Sequence, residues 1–384
     1  MNVPGLRAAL AAVIAVAGVL GSCKPTPPAA SEASDSGAVD AAPGVEASAS
    51  AALAAAPSVD ASVETAARGK ILYDKYCGFC HGENGQGYKA DQAPALANDD
   101  LLTVATDEYL LEAIVKGRPG TTMSAWSVAR GGPLAYPDAA AIVSYVRTWQ
   151  KRPSEPVDAR VANGTAAAAN GTYNALCASC HGVKGKNGKY NSLANHELLT
   201  AASDGFLATT IERGRAGTPM AGFGSKLSKT QVDDLIALVR SWKIPPEELP
   251  DLPPKAGALT SIVVNPKGPQ PELEESASFI KVDAVKKELD RGASMVIIDA
   301  RPPADYARMH IVGAISVPFY QTADYAKQLP KDRYILTYCA CPHAESGQVR
   351  DALRKLGYPR VAVIDEGLLV WRDRGYGVRG GAKP

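Results

Sequence analysis

The sequence predicts a multidomain chain in which two helical domains are followed by one α/β domain with a parallel sheet. Three observations lead to this prediction. A Cys-x-x-Cys-His segment occurs twice, at Cys77 and at Cys177, and the residues on both sides of it recur as well. Proline-rich sequence follows Trp242, and beyond it short apolar runs alternate with amphipathic stretches. A chain of 384 residues has room for several compact units.

The overall charge argues against a nucleic-acid partner. Lys and Arg together number 41 against 40 for Asp and Glu, which leaves a formal net charge of +1. Binding to nucleic acid depends on many positive charges that neutralise phosphates, so this composition predicts no such function. Only five Phe occur in the chain. The helical domains are therefore short of large apolar side chains, and a buried macrocycle would supply the missing apolar surface.

The N-terminus has the layout of a secretory signal. Arg7 precedes an apolar run from Ala8 to Leu20, and two small residues then lead to Cys23. The run is shorter than the roughly 20 apolar residues that a membrane-spanning helix needs. We therefore predict a signal peptide over residues 1–22, with export of the chain that follows.

The residues around Cys23 add a prediction about the membrane. Leu20-Gly21-Ser22-Cys23 resembles a bacterial lipobox, which implies cleavage before Cys23 and lipidation of its thiol. Lys24 resembles an outer-membrane sorting residue more than an inner-membrane one. We expect a lipid anchor on the periplasmic side of the bacterial cell envelope, with the outer membrane favoured; an uncleaved anchor or a plain signal peptide is the alternative. Residues 23–61 are rich in Ala, Ser and Pro and contain no aromatic residue, so we expect a disordered tether.

An internal repeat organises the next part of the chain. A tyrosine four residues before the first cysteine is present in both copies. Two further segments also occur twice: Gly-Arg-x-Gly-Thr-x-Met at residues 117–123 and 214–220, and Val-Arg-x-Trp at residues 146–149 and 239–242. The second of these lies in a predicted helix that ends each copy. The duplication predicts two related domains, at residues 62–153 and 159–243.

The Cys-x-x-Cys-His spacing is the signature of covalent haem attachment. Two thiols one helical turn apart can form thioethers with the two vinyl groups of a haem, and the next residue brings an imidazole to the iron. A zinc site built from the four cysteines, or a redox disulfide in either pair, is the alternative. Because the full motif occurs twice and a Met follows each, we predict two covalently bound c-type haems. The residues involved are Cys77, Cys80 and His81, and Cys177, Cys180 and His181.

The sixth iron ligand follows by elimination. In the first copy His81 is the only histidine and Met123 the only methionine, so Met123 is the predicted axial partner. In the second copy Met220 is the only methionine, although His196 offers a competing imidazole. An iron held between His and Met has no open position for substrate and transfers electrons.

The two copies resemble class I type cytochrome c domains. The resemblance covers residues 62–153 and 159–243 and implies an all-α fold whose first and last helices pack across each other. It also implies that Tyr73 and Trp149, with their counterparts in the second copy, are core residues. A redox partner protein in the cell envelope is expected for such an electron carrier.

Residues 244–274 are rich in proline, which disfavours helix, and we expect an extended spacer there. The final part, residues 275–384, contains three predicted buried strands and two stretches with helical spacing. Strands separated by helices predict a parallel α/β sheet. Cys339 would then lie just past a strand and before a helix, where backbone N–H groups can stabilise an anionic sulfur. The predicted strands are residues 295–298, 334–337 and 361–364, and the predicted helices are residues 282–290 and 347–356.

Four short segments in this part resemble a rhodanese domain. They are Asp299-Ala300-Arg301, residues 310–314, Tyr338-Cys339, and residues 367–371. The resemblance implies that Cys339 accepts a sulfane sulfur as a persulfide and passes it to a thiophilic acceptor, as a thiosulfate or persulfide sulfurtransferase does. A purely structural cysteine at a strand end is the alternative.

The loop after Cys339 departs from the usual rhodanese pattern. It lacks the Gly and Arg that many rhodaneses carry, and Pro342 cannot donate an N–H, which argues against thiosulfate as the donor. Glu345 lies where a phosphatase of related fold would need an Arg, which disfavours phosphatase activity. Cys341 is either a resolving thiol or a lining residue, and His343 either tunes the thiol or is solvated. The loop candidates are Cys341, His343 and Ser346.

These predictions combine into one functional hypothesis. The chain is expected to be an exported dihaem electron carrier fused to a domain that carries sulfane sulfur on Cys339, linked to the oxidation of a small sulfur compound. The alternative is a plain electron carrier to a terminal oxidase or reductase, in which the last domain is catalytically silent and serves for docking.

Overall fold

The computed structural model describes residues 62–88, 93–242, 245, 246, 248, 250–340 and 343–384. All of them belong to one compact unit. The predicted signal peptide, the tether with Cys23, and Cys341 lie outside the described residues. Among the helices that the structure describes, none combines the length and apolar character that crossing a membrane would require.

The first helical domain is built on the crossing of its first and last helices. The N-cap Ser62 accepts a hydrogen bond from the Thr65 N–H, and α1 begins after it. At the crossing with α5 the helices approach so closely that a Cβ on Gly69 would lie 1.9 Å from the Ala141 carbonyl oxygen. The helices are α1 Val63–Tyr76, α2 Gly78–His81, α3 Asp99–Leu102, α4 Asp107–Lys116 and α5 Tyr136–Arg147, with a 3₁₀ turn at Val128–Arg130.

The second helical domain repeats this arrangement. Its first helix is divided into a 3₁₀ turn and a shorter α-helix, and Ala169 stands where the first copy has Gly69. The helices are α6 Asn170–Leu176, α7 Ala178–His181, α8 His196–Ala201, α9 Asp204–Arg213 and α10 Lys229–Ser241, with 3₁₀ turns at Ala166–Ala169 and Val183–Gly185. The predicted helical crossing is thus confirmed in both copies.

The repeated Val-Arg-x-Trp segment has two structural roles. Its arginine ties the last helix to the loop before α4 or α9: Arg147 and Arg240 each donate from Nη2 to a backbone carbonyl at 2.6 Å. Its tryptophan packs edge-on against the first helix, with ring centroids 5.2 Å apart for Tyr73 and Trp149. The equivalent pair in the second copy is 4.7 Å apart. The predicted core role of these aromatic residues is confirmed.

The last domain contains a parallel five-stranded sheet in the order β1-β6-β5-β2-β4 and a small antiparallel pair, β3 and β7. The central strands are buried on both faces, as expected for a parallel sheet covered by helices. The strands are β1 Phe279–Ile280, β2 Met295–Asp299, β3 His310–Ile311, β4 Ile315–Ser316, β5 Tyr334–Tyr338, β6 Val361–Ile364 and β7 Val378–Arg379.

The helices of this domain are α11 Val282–Asp290, α12 Pro303–Arg308, α13 Thr322–Ala326, α14 Ala344–Lys355 and α15 Gly367–Asp373, with a 3₁₀ turn at Phe319–Gln321. The predicted strands at residues 295–298, 334–337 and 361–364 are confirmed. The second predicted helix begins three residues earlier than residue 347.

Candidate functional site

Each Cys-x-x-Cys-His segment begins at the end of a helix and forms one short helical turn. The Cys77 N–H still donates to the Tyr73 carbonyl at 2.8 Å, and the His81 N–H donates to the Cys77 carbonyl at 2.9 Å. The Tyr73 hydroxyl then donates to the Gly82 carbonyl at 2.7 Å and holds the end of the turn. The same three bonds recur in the second copy at 2.8, 2.9 and 2.8 Å. The motif is therefore presented in the same way twice.

Both histidines are oriented as metal ligands. The His81 Nδ1 lies 2.9 Å from the Pro94 carbonyl oxygen, and the His181 Nδ1 lies 2.9 Å from the Asn191 carbonyl oxygen. A carbonyl only accepts, so each Nδ1 carries the proton and each Nε2 keeps its lone pair for a metal. Burial lowers the pKa of both imidazoles and so favours the neutral, ligating form.

The four cysteines of the two motifs are partly buried: Cys77, Cys80, Cys177 and Cys180 are each only partly exposed. Burial raises the pKa of Cys77 to about 12, and burial followed by the charge of Cys180 raises the pKa of Cys177. The surroundings of Cys77 and Cys177 thus disfavour a thiolate.

The two methionine loops have the same conformation. The Arg118 N–H donates to the Met123 carbonyl at 2.8 Å, and the Arg215 N–H donates to the Met220 carbonyl at the same distance. In each loop the threonine hydroxyl accepts from the methionine N–H at 3.2 Å. The shared Gly-Arg-x-Gly-Thr-x-Met pattern is therefore a loop-forming sequence that presents one Met side chain. In the first copy Met123 and Cys77 pack against the same apolar cluster.

The two helical domains meet through these loops in a nearly twofold arrangement. The Asn98 side-chain amide donates to the Ala216 carbonyl at 2.9 Å, and its counterpart Asn195 donates to the Pro119 carbonyl at 2.9 Å. Both carbonyls belong to the methionine loops. Reciprocal contacts of this kind are the mark of a self-complementary interface. His196, the competing ligand candidate, follows Asn195 directly and begins α8.

Cys339 lies at the end of β5 and before α14, as predicted. Its side chain is 0% exposed, and its Sγ lies 3.3 Å from the Ser346 Oγ. The Cys339 carbonyl accepts from the Leu368 N–H at 2.9 Å. A Cβ on Gly367 would lie 2.8 Å from that carbonyl oxygen, and Gly367 has a positive φ. The structure therefore brings the Ser346 hydroxyl to the thiol and packs Gly367 against the Cys339 backbone.

His343 is held away from the thiol by other partners. Its Nε2 lies 2.7 Å from the Asp365 Oδ1, and its ring packs 4.3 Å from that of Phe279. Asp365 also accepts from Lys281. His310 stacks on Tyr306 at 3.8 Å and bonds backbone carbonyls through both ring nitrogens, which is a structural role.

Two buried charged residues near Cys339 complete this site. Arg301 binds Asp299 through two hydrogen bonds, of 2.9 and 2.6 Å, and donates to the Met309 carbonyl at 2.5 Å. Burial would lower the pKa of Arg301, but Asp299 raises it strongly. Glu345 is 6% exposed, and burial followed by the charge of Cys339 raises its pKa well above the usual range. The Glu345 carboxyl is therefore harder to ionise in the folded protein than in the unfolded chain.

Replacing Glu345 with Gln is expected to stabilise the α/β domain at neutral pH. The folded carboxyl keeps a proton that the unfolded chain releases above about pH 4.3, so wild-type stability falls as pH rises toward the folded pKa. Gln has no proton to release. We expect a gain of about 1–3 kcal/mol at pH 7.5 that vanishes near pH 4, measured by hydrogen exchange of the β5 amides in urea.

The matched control is Glu275→Gln, because the Glu275 side chain is 73% exposed and makes a surface ion pair with Arg360 at 3.4 Å. That change should leave exchange of the β5 amides nearly unaltered. A Glu345→Gln variant that is less stable than wild type at pH 7.5 would contradict a raised pKa of Glu345.

Sequence reasoning missed the burial of Glu345 and the role of two aromatic residues, Phe319 and Tyr320. These two side chains pack on the first helical domain beside Phe79, which lies between its two haem-attachment cysteines. A signal was present in the repeat itself, because the second copy has Ser179 at the position of Phe79.

Two family models match the chain. Residues 64–146 and 164–239 match the family described as cytochrome C oxidase, cbb3-type, subunit III, and residues 281–374 match the rhodanese-like domain. The chain joins cytochrome c domains to a rhodanese-like domain. The resemblances to cytochrome c domains and to a rhodanese domain are confirmed, and so is the fold class, a helical cytochrome c region followed by an α/β domain. Cytochrome c domains imply covalently bound c-type haem with iron.

Individual relatives match each part separately. The cbb3-type cytochrome c oxidase subunit FixP of Azorhizobium caulinodans is 30% identical over 183 residues, which is 46% of this chain and 59% of the relative. A sulfurtransferase of Allochromatium vinosum is 28% identical over 96 residues, which is 25% of this chain and 89% of the relative. A reducing HAO-like protein complex of Kuenenia stuttgartiensis aligns with 49% of this chain and 99% of its own chain, at 23% identity and a TM-score of 0.34. The chain thus spans about three fifths of the length of the FixP relative.

Proposed function

We propose that this protein is a dihaem electron carrier whose rhodanese-like domain carries sulfane sulfur on Cys339. The twin histidine geometry carries the first part of the proposal. Both imidazoles bond a carbonyl at 2.9 Å through Nδ1 and keep Nε2 for iron. If only one of the two copies bound haem, the histidine of the other copy would not need this orientation.

The proposed ligands are the two histidines and the two loop methionines. His81 with Met123, and His181 with Met220, would hold one iron each, while the paired cysteines form the thioether bonds. Bound haem supplies a one-electron iron couple. The protein's part would be to hold each iron with one His and one Met, leaving no position for substrate. Asn98 and Asn195 each hold the methionine loop of the other domain at the interface.

The sulfur chemistry is proposed at Cys339. Joining the Cys339 thiol to hydrogen sulfide forms one S–S bond and breaks two S–H bonds. The two protons would pass to water, and the two haems, when bound, would each supply an acceptor for one of the two electrons. The product is a Cys339 persulfide. Two one-electron acceptors match this two-electron oxidation, which motivates the link between the two halves of the chain.

To test this proposal, we would mix oxidised protein with sulfide without oxygen, record the haem bands, and weigh the Cys339 peptide by mass spectrometry. Wild type should show reduced haem together with one added sulfur atom on Cys339. A Cys339→Ala variant should keep its haem and lose at least 90% of the reduction rate. Equal rates in both proteins would disprove the coupling.

A second candidate function is electron transfer alone, with a catalytically silent rhodanese-like domain that serves for docking. The fully buried Cys339 side chain favours it, because a persulfide carrier must meet its donor. Failure of several sulfane donors to add sulfur to Cys339, with both haems intact, would support this candidate. The redox partner would then be the main determinant of function.

The partner and location are further parts of the proposal. The FixP relative is described as an oxidase subunit, so we propose a redox partner in the cell envelope, of the oxidase or reductase class. The lipobox resemblance at Cys23 supports a lipid anchor on the periplasmic side of a bacterial membrane, with the outer membrane favoured. Cell fractionation of wild type and a Cys23→Ser variant tests the lipid anchor and the membrane that carries it.

A further inference from the structure

One aromatic cluster joins the rhodanese-like domain to the first cytochrome c domain. We define the bridge cluster as Tyr76, Phe79 and Trp126 of the cytochrome c domain with Phe319 and Tyr320 of the rhodanese-like domain. Phe319 lies 5.7 Å from Phe79 and 6.1 Å from Trp126, measured between ring centroids. Tyr320 lies 6.1 Å from Tyr76. These edge-on distances are those of packed aromatic pairs.

The contact is also anchored outside the rings. The Tyr320 hydroxyl donates to the Gly131 carbonyl at 3.1 Å, and a Cβ on Gly131 would lie 2.8 Å from the Pro303 side chain. Phe319 is 8% exposed. One apolar cluster therefore runs from the first cytochrome c domain into the helices and sheet of the rhodanese-like domain.

On the cytochrome c side, one residue of the bridge cluster adjoins the haem-attachment segment and another lies within it. Tyr76 directly precedes Cys77, and Phe79 stands between Cys77 and Cys80. The second cytochrome c domain has Leu176 and Ser179 at these two positions, and Ser179 is exposed. Only the first of the two attachment segments thus carries this aromatic face.

On the rhodanese side the bridge cluster lies next to the Cys339 site. The 3₁₀ turn at Phe319–Gln321 packs against α14, whose Ser346 contacts the Cys339 sulfur. A continuous packed path thus connects Cys339 with the Cys77–Cys80 segment.

We propose that the bridge cluster docks the rhodanese-like domain on the Cys77–Cys80 segment, so that the first haem, and not the second, exchanges electrons with the Cys339 site. This inference rests on the proposed function for its two haems and its sulfur chemistry. The second attachment segment, whose Ser179 is exposed, then remains available for electron transfer to the redox partner.

The docking is tested by redox titration of a Phe319→Ala variant. Loss of this ring lets water reach the first attachment segment, which lowers the haem potential because a polar environment favours the ferric state. One of two midpoint potentials should fall. The fall should persist in a Cys177→Ala/Cys180→Ala background and disappear in a Cys77→Ala/Cys80→Ala background. A shift in the second haem, or in neither, overturns the proposal.

Hydrogen exchange provides a readout that does not depend on haem. The Val128 N–H donates to the Leu134 carbonyl at 2.9 Å in the loop that Tyr320 contacts, and exchange there should accelerate at least tenfold in Phe319→Ala. The control is Tyr376→Ala, which removes an aromatic ring of the same domain that packs on Trp371 instead. It should change neither the potentials nor this exchange. Unaltered exchange in Phe319→Ala overturns the docking.

The electron route is tested with Phe79→Ser, which copies the second repeat. Reduction of the first haem by sulfide should slow at least tenfold, with two haems retained and Cys339 still accessible to persulfide analysis. An unchanged rate overturns the route. If sulfide reduces neither haem in wild type, the coupling in the proposed function fails and the route fails with it, while the potentials still decide the docking. A haem content other than two instead contradicts the dihaem proposal.

Discussion

Replacing both Cys77 and Cys80 with alanine is expected to lower the covalently bound haem from two per chain to one. The thioethers require these two thiols, whereas the neighbouring His81, whose Nδ1 lies 2.9 Å from the Pro94 carbonyl oxygen, would only coordinate the iron. The first cytochrome c domain should also lose stability, because haem would supply much of its apolar core. Mass spectrometry and the spectrum of the haem extracted in alkaline pyridine measure the loss.

The second copy provides the matched variant. Cys177→Ala/Cys180→Ala should also retain one haem. A variant in which all four cysteines are replaced by alanine should retain none. The remaining haem of each variant should show its own midpoint potential, since the two sites differ in exposure: His81 is buried, whereas His181 is partly exposed. Two haems in either double variant would disprove the assignment of these cysteines.

The second large effect is expected for Asp299→Asn in the rhodanese-like domain. Asp299 is 0% exposed and binds Arg301, whose side chain is 8% exposed, through two hydrogen bonds. The variant keeps the shape of the side chain but leaves the guanidinium without its counter-charge in the interior. Breaking a buried pair in this way costs about 3–5 kcal/mol. Hydrogen exchange of the paired strands β2 and β5 should accelerate accordingly, because Asp299 ends β2.

A surface pair of the same domain serves as the control. Asp332 lies 3.3 Å from Arg333, and its side chain is 71% exposed. Asp332→Asn should change the free energy of unfolding by less than about 0.5 kcal/mol. Haem content should be the same in both variants. If hydrogen exchange of β2 and β5 is as slow in Asp299→Asn as in wild type, the Asp299–Arg301 pair is not required for the fold.

Much of the chemistry was predictable because it depends on local spacing. The positions of the four attachment cysteines and of both histidines follow from a five-residue motif. The methionine loops follow from a seven-residue pattern whose glycines have positive φ, such as Gly117 and Gly214. The position of Cys339 after β5 was predictable for the same reason, since a strand and a helix flank it directly.

Other features were not predictable, because they depend on residues that are far apart in the chain. Glu345 was interpreted only as a missing phosphatase arginine, yet folding buries it and raises its pKa. His343 was a candidate for tuning the thiol, and the structure pairs it with Asp365 instead. A spacer was predicted after Trp242, and nothing in its proline content indicated that the domains on either side make contact.

The sequence alone determined the domain types, the Cys-x-x-Cys-His motifs and the position of Cys339 between a strand and a helix, because short-range spacing and hydrophobic periodicity specify local geometry. The tertiary structure alone decided which surfaces meet. Asn98 and Asn195 each bind the methionine loop of the other cytochrome c domain, and Phe319 packs beside Phe79. These contacts depend on the burial of complementary surfaces from residues 76 to 240 positions apart, and no local pattern records such a match.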